Sequence, residues 1–114
     1  MQRGEIYLAS FPYGDVAAMK LRPVLLLTEP VGVVGMETIV AYISSVIPRP
    51  LLASDILIDP QKPEHQSTRL KTVSVLRLHK LATIHTTSVQ RYLGKISNAI
   101  QQEVDAKLLK VLSL

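Results

Sequence analysis

The chain has 114 residues, the length of a single domain, because half of it would be too short to bury a core of its own. A composition of 47% hydrophobic and 19% charged residues excludes disorder, and a net charge of +4 permits a polyanionic partner. The absence of cysteine excludes disulfides and thiolate metal sites, and the apolar runs are far shorter than the ~18 residues of a membrane span. No export signal is recognisable at the start. We therefore expect one soluble domain, residues 1–114, in the cytoplasm.

Six short segments have the period-two or apolar pattern that is typical of β-strands. The second of them, 22–28, is apolar on both faces, which indicates a central strand covered on two sides. In chain order the predicted strands are 5–9, 22–28, 38–45, 55–59, 72–79 and 81–85. The sequence therefore predicts a mainly β protein.

Two connections between these strands are predicted to be irregular. Residues 11–20 form a loop longer than the ~2–5 residues of common hairpin connections, and long loops often carry function. Residues 60–67 are rich in Pro, Gln and Lys, and we expect them to be exposed to solvent.

The last third of the chain changes to a helical period. Residues 87–93 favour one or two helical turns ended by Gly94, and Asn98 followed by Gln101 resembles a capping box. After this capping box, apolar residues recur about once per helical turn, so they lie on one face of the predicted helix. The stripe contains Ile100, Val104, Leu108 and Val111. Together these features predict a small, strongly bent antiparallel sheet or barrel with a C-terminal amphipathic helix.

Common catalytic motifs are missing from the sequence. It has no glycine-rich nucleotide loop, no paired-histidine metal pattern and no serine elbow of the hydrolase type. We therefore expect no cofactor and no metal ion. His65 and His85 have no polar neighbour at a useful spacing, and we expect both on the surface.

Two strand ends carry candidate anion-binding groups. Arg22 opens the second strand, and a guanidinium has a planar fork of donors suited to phosphate oxygens. It could equally pair with a surface carboxylate. The pair Ser44 and Ser45 ends the third strand, where a hydroxyl can bind a phosphate or ribose oxygen or take part in ordinary turn chemistry. Position alone leaves both alternatives open.

A third candidate group lies on the fifth predicted strand. Arg77 and His79 are two residues apart, so they project from one face with a separation of about 7 Å, which fits one phosphodiester. The alternative is a solvated strand end. Phe11 and Tyr13, on the long loop, could stack on bases.

Short segments over nearly the whole chain resemble, in order, the motifs of the MazF/PemK family of toxin–antitoxin endoribonucleases. In the first half they are RGEIY at 3–7, KLRPVLLL at 20–27 and VAYISS at 40–45. In the second half they are SVLR at 74–77, LATI at 81–84 and RYLGKI at 91–96. Each segment is short, but the ordered set is specific.

The resemblance implies an SH3-like barrel, a homodimer, an antitoxin that blocks the site, and metal-independent cleavage of single-stranded RNA. The family's active-site arginine and Ser/Thr correspond to Arg22 and Ser44, and a further arginine corresponds to Arg77. Where some members have an acidic residue two positions later, this chain has His79, so the general base is in doubt. The loop histidine of some members has no counterpart here.

Cleavage of RNA without a metal uses the ribose 2′-hydroxyl as nucleophile. Arg22 and Arg77 would stabilise charge on the phosphoryl oxygens, and Ser44 would orient a hydroxyl or an oxygen. His79, with an ordinary pKa near ~6.5, is suited to moving the proton. The expected products are a 2′,3′-cyclic phosphate and a 5′-hydroxyl. The residues predicted to contact RNA around this group are Ser45, Lys20, Tyr13 and Phe11.

Two other functions stay open at this point. A toxin of the same fold could bind a protein such as a DNA topoisomerase without any chemistry of its own, which needs neither Arg22 nor Ser44. A plain barrel could also bind RNA without cutting it.

Overall fold

The computed structural model describes residues 1–12, 19–32 and 36–114. Within these residues it has six strands, two 3₁₀ helices and one α-helix. In chain order they are β1 (Glu5–Pro12), β2 (Met19–Leu26), β3 (Glu37–Ser44), β4 (Asp55–Ile58), the first 3₁₀ helix (Pro63–Thr68), β5 (Ser74–His85), the second 3₁₀ helix (Thr86–Ser88), β6 (Val89–Lys95) and α1 (Asn98–Val111).

The strands form one antiparallel sheet in the order β4-β5-β3-β2-β1-β6. The mainly β fold with a C-terminal helix is confirmed, and the predicted segments 72–79 and 81–85 prove to be one continuous strand, β5. Within the described part of the chain, β4 and β6 remain unpaired on their outer sides, so the sheet is not closed into a barrel.

Irregular pairing bends this sheet. The register shifts twice between β1 and β6 and once between β3 and β5, at Ala41 and Tyr42. Bulges of this kind bend and twist a strand, so each face can enclose its own apolar cluster. The central strand β2 contributes to both clusters, as its sequence predicts: Leu25 packs on the α1 side, and Val24 and Leu26 pack on the opposite side.

α1 covers the first of these clusters. Its cap is Ser97 rather than Asn98, since the Ser97 hydroxyl accepts a hydrogen bond from the Ile100 N–H at 3.3 Å. The predicted apolar stripe is confirmed where it faces the sheet, with Ile100 and Val104 buried and Leu108 packed against the cluster. None of the described helices is long and apolar enough to cross a membrane.

The predicted helical turns at 87–93 are wrong. Only a single 3₁₀ turn, Thr86–Ser88, precedes strand β6, which pairs with β1 along the sheet edge. Gly94 therefore does not end a helix. An added Cβ there would lie 2.3 Å from the Thr68 carbonyl oxygen and 2.5 Å from that of Ser67, so only glycine lets the first 3₁₀ helix approach β6.

Most residues of 60–67 are exposed, as predicted, but the segment is not irregular throughout. It contains most of the first 3₁₀ helix, which begins at Pro63, a residue whose fixed φ suits a first helical position. His65, predicted on the surface, is only 6% exposed, and Thr68 is fully buried. The Thr68 hydroxyl donates to the His65 carbonyl at 2.7 Å and so closes this short turn.

Candidate active site

The sheet brings together the polar residues that the sequence singled out. The β2–β3 ladder ends at the pair Val24 and Tyr42, and Arg22 and Ser44 each lie two residues beyond it, on the face of the sheet to which this pair projects. On the other side of β3, Tyr42 pairs with Arg77. Because side chains alternate along a strand, these groups belong to the sheet face that lies opposite α1. We call Arg22, Ser44, Arg77 and His79 the polar row.

The two serines that end β3 differ in their surroundings. Ser44 is 8% exposed, and its Oγ accepts a hydrogen bond from the Val46 N–H at 3.0 Å. This bond is the turn chemistry that the sequence left open, and it leaves the Ser44 hydroxyl proton available to a ligand. Ser45 is exposed and lines a pocket on the other side of the strand.

A carboxylate that the sequence did not single out holds Arg77. Asp55, at the start of β4, has a completely buried side chain. Its Oδ1 accepts from Arg77 Nε at 3.0 Å, and its Oδ2 accepts from Arg77 Nη2 at 3.3 Å. The fork of Arg77 is therefore fixed by a bidentate pair, with Nη1 left to reach a ligand. The alternative of a solvated strand end is wrong for Arg77.

His79 lies beside the same carboxylate. Its Nδ1 is 3.9 Å from Asp55 Oδ1 and 3.4 Å from Ser54 Oγ, and its side chain is 32% exposed. Burial lowers the pKa of His79, Arg77 lowers it further, and Asp55 partly offsets both. Burial is therefore the largest cause of the lowered pKa of His79. A carboxylate next to Nδ1 favours a proton on that nitrogen, which leaves the lone pair on Nε2.

The buried pair gives a prediction about stability. Asp55→Ala should lower the free energy of unfolding by about 3–5 kcal/mol, because the Arg77 charge would remain in the interior without its partner. Urea titration of the variant measures this loss. The double variant Asp55→Leu with Arg77→Met is the control, and it should recover most of the stability, since neither charge then stays buried. A loss below about 1 kcal/mol in Asp55→Ala would show that solvent already screens the pair.

The structure does not support every residue that was predicted to contact RNA. Phe11 is 5% exposed and belongs to β1 rather than to a loop, and its ring stacks on Tyr42 with centroids 5.1 Å apart. Its assignment to RNA is wrong, because a ring packed in the core has no face left for a base. Tyr13 lies outside the described residues. Lys20 pairs with Phe11 through its backbone, and its side chain lies outside the description.

A pocket of about 290 Å³ opens beside Arg22. Ser45 and three cations that the sequence did not single out also line it, and we call it the basic pocket. The three cations are Arg69, Lys71 and Arg91. The local sequence does not distinguish these three residues from other surface charges. They form a group only because the fold places them around one pocket.

Solved toxin structures share this fold at low sequence identity. MazF (Form-I) from Deinococcus radiodurans is 17% identical with a TM-score of 0.74, over 100% of this chain and 97% of that one. Mycobacterium tuberculosis toxin MazF-mt6 is 22% identical with a TM-score of 0.73, over 96% and 97%. An endoribonuclease from a mycobacterial species, in complex with its cognate antitoxin, is 16% identical with a TM-score of 0.70, over 100% and 96%.

The sequence itself carries the family relationship. No curated protein matches it. Residues 2–112, however, match the model of the PemK-like, MazF-like toxins of type II toxin–antitoxin systems. Because that match covers almost all of the 114 residues, the chain belongs to the MazF/PemK family of toxins.

Proposed function

We propose that this toxin is an endoribonuclease that cleaves single-stranded RNA, mRNA in particular, without a metal ion and thereby inhibits growth. One observation carries the proposal: the sheet aligns Arg22, Ser44 and Arg77 on one face, with His79 beside Arg77. A mycobacterial protein of the same fold is an endoribonuclease, which supports the same activity here. We place the protein in the cytoplasm, where mRNA is translated.

Each member of the polar row has a part in the proposed reaction. The 2′-hydroxyl oxygen attacks the neighbouring phosphorus while His79 accepts its proton at Nε2. Arg22 and Arg77 stabilise the charge that develops on the non-bridging oxygens, and Ser44 donates its hydroxyl proton to one of them. The bond from phosphorus to the 5′-oxygen then breaks, and that oxygen takes up a proton from solvent water, while the proton held by His79 returns to solvent. The products are a 2′,3′-cyclic phosphate and a 5′-hydroxyl.

The chemistry of the donor set supports a reaction without a metal. Magnesium is held in proteins mainly by open carboxylates together with substrate phosphates. Among the described residues, Asp55 is the carboxylate of this site, and both of its oxygens are already bonded to Arg77. The remaining groups are cations, a hydroxyl and an imidazole, which bind an anion directly and transfer a proton.

The purified protein tests the proposal directly. Incubation with defined RNAs in EDTA should produce new 5′-hydroxyl ends and cyclic phosphates. RNA that is bound but stays intact would contradict cleavage and favour a plain RNA-binding domain. Neither binding nor cleavage would favour a toxin that acts on a protein target such as a DNA topoisomerase.

We propose that a cognate antitoxin inhibits the protein. A MazE–MazF complex from Deinococcus radiodurans shares the fold, with a TM-score of 0.72. Since this chain has a net charge of +4, an acidic segment that folds on binding would complement its basic surface and exclude RNA.

The exposed apolar surface predicts a homodimer. α1 covers one cluster of the sheet, and several large apolar side chains remain exposed elsewhere. Examples are Leu21, Val31, Ile39 and Val46, which are between 40% and 75% exposed. We expect a two-fold dimer whose groove holds the RNA, since a dimer would cover such side chains. Light scattering at micromolar concentration should give the dimer mass, and a monomer mass would contradict the prediction.

A further inference from the structure

The basic pocket opens on the face of the sheet that carries α1. Its lining includes Leu8 and Pro23, which pair with each other across β1 and β2. This pair lies two residues along the strands from Ile6 and Leu25, which belong to the apolar cluster that α1 covers. Because side chains alternate along a strand, all four project to the same face. The polar row projects to the other face, so the pocket and the row lie on opposite sides of the sheet.

The floor of the pocket is the apolar surface of four adjacent strands. β6, β1, β2 and β3 contribute one apolar residue each, and the described lining contains no aromatic ring. These floor residues are Leu93, Leu8, Pro23 and Ile43. An aliphatic surface gains free energy when it buries another apolar side chain, whereas a base of a single-stranded nucleic acid is held mainly by stacking on aromatic rings. The floor therefore suits an apolar side chain of a protein.

Three cations lie beside this floor, and we call them the rim cations. Arg91 pairs with Leu8, while Arg69 and Lys71 come from the segment after the first 3₁₀ helix. All three are exposed, and none has a hydrogen bond or an ion pair with a described residue. Arg22 also touches the pocket, but it has an interaction partner within the protein. Because no carboxylate is among the described lining residues, the three rim charges reinforce one another and attract an acidic partner.

The segment that carries two of the rim cations is held against β6. The backbone of Ser67 lies against Gly94, and the Ser67 hydroxyl donates to the Lys95 carbonyl at 2.8 Å. Arg69 follows the 3₁₀ helix in a left-handed conformation with φ of 55°, and its N–H donates to the Gln66 carbonyl at 3.2 Å. The backbone of this segment is therefore fixed before a ligand binds, which lowers the entropic cost of binding.

We propose that the basic pocket is a docking site for an acidic segment of a protein partner, which seats one large apolar side chain on the floor and sets carboxylates against the rim cations. The docking site rests on the proposed inhibition by an antitoxin, whose acidic segment would then contact two faces of the toxin. A volume of about 290 Å³ is at the lower limit of ligand pockets, so the pocket admits one such side chain rather than a whole helix. A partner docked here is anchored without occupying the polar row.

NMR spectroscopy of the whole protein tests the docking site without any cleavage. The probe is a short synthetic peptide of glutamate and aspartate around one central leucine, titrated into the ¹⁵N-labelled toxin. It should shift the amide signals of Thr72, Arg91 and Leu93 and leave that of His79 in place. A matched peptide with serine instead of leucine should bind at least ~10-fold more weakly, because it has no apolar side chain to bury on the floor.

The double variant Arg69→Gln with Arg91→Gln tests the rim cations. It should bind the leucine peptide about tenfold more weakly, since two charged contacts are lost. The control, Lys62→Gln with Lys110→Gln, removes the same charge from exposed positions outside the pocket and should change Kd less than about twofold. Both variants should cleave RNA at the parent rate, because neither alters the polar row. Melting temperatures equal to that of the parent protein establish that both variants fold.

Three results would overturn the docking site. The first is an absence of amide shifts with the leucine peptide, or shifts centred on Arg77 and His79. The second is equal binding of the two peptides or equal losses in the two double variants, which would mean that only net charge matters. The third is a single-stranded 2′-O-methyl RNA that shifts the pocket amides at lower concentration than the peptide, which would assign the pocket to nucleic acid. A parent protein that binds the peptide in the pocket but cleaves no RNA in EDTA would contradict the proposed function alone.

Discussion

Arg22→Ala is expected to reduce the rate of RNA cleavage by at least ~100-fold while the protein stays folded. The reason is that the Arg22 guanidinium would be one of the donors to the non-bridging oxygens, and loss of one such donor typically costs ~10²–10³ in rate. The rate is measured as kcat/KM on a defined single-stranded RNA in EDTA.

Arg22→Lys is the matched variant, because it keeps the charge and removes the planar fork. It should restore cleavage only in part. Far-UV circular dichroism and the melting temperature of both variants establish that the sheet is intact. Cleavage by a folded Arg22→Ala protein at the parent rate would remove Arg22 from the site.

His79→Gln should slow cleavage by the ~10²–10⁴-fold that is typical of one proton-transfer group. Its side chain is 32% exposed beside Asp55, so substrate can reach the ring. Only the neutral imidazole accepts the 2′-hydroxyl proton, and in the parent protein cleavage should therefore rise with pH through the pKa of His79. Burial and Arg77 lower that pKa, so the rise should be centred below the ordinary histidine value of ~6.5.

The glutamine variant should lose this rise as well as the rate, since its amide does not titrate. His85→Gln is the control: the His85 side chain is exposed and bonds only to Thr87 among the described residues, so the change should alter neither the rate nor the pH profile. If His79→Gln kept both the parent rate and the acidic limb, another group would be the base.

The sequence predicts the strands of the sheet well, because their apolar pattern is local. Residues 22–28 show both faces buried, and β2 lies in the centre of the sheet with both faces covered. The pattern fails at 87–93. β6 lies at the sheet edge, most of its residues are exposed or half-buried, and its extended form comes from pairing with β1, which is remote in sequence. The local hydrophobic pattern of residues 87–93 does not indicate pairing with a strand that is remote in sequence.

The polar row was predictable only in part, for a similar reason. Arg77 and His79 are neighbours on one strand, and their common face follows from spacing alone. Asp55 meets them only through the pairing of β4 with β5, and a lone aspartate at a strand start carries no sign of its partner. The cations of the basic pocket are still harder to predict from the sequence, since they come from three separate segments that the fold brings together.

The contact at Gly94 has a consequence for genetic selection. Cells that survive expression of an active toxin must carry a disabling change, and position 94 offers one that leaves every side chain of the polar row in the sequence. Any larger residue there would force the backbone of Ser67 and Thr68 away from β6, so the harmless protein would fail through misfolding. Survivors altered at Gly94 would yield little soluble toxin, whereas survivors altered at Arg22 would accumulate it. The amount of soluble protein alone would thus distinguish substitutions that prevent folding from substitutions that remove activity.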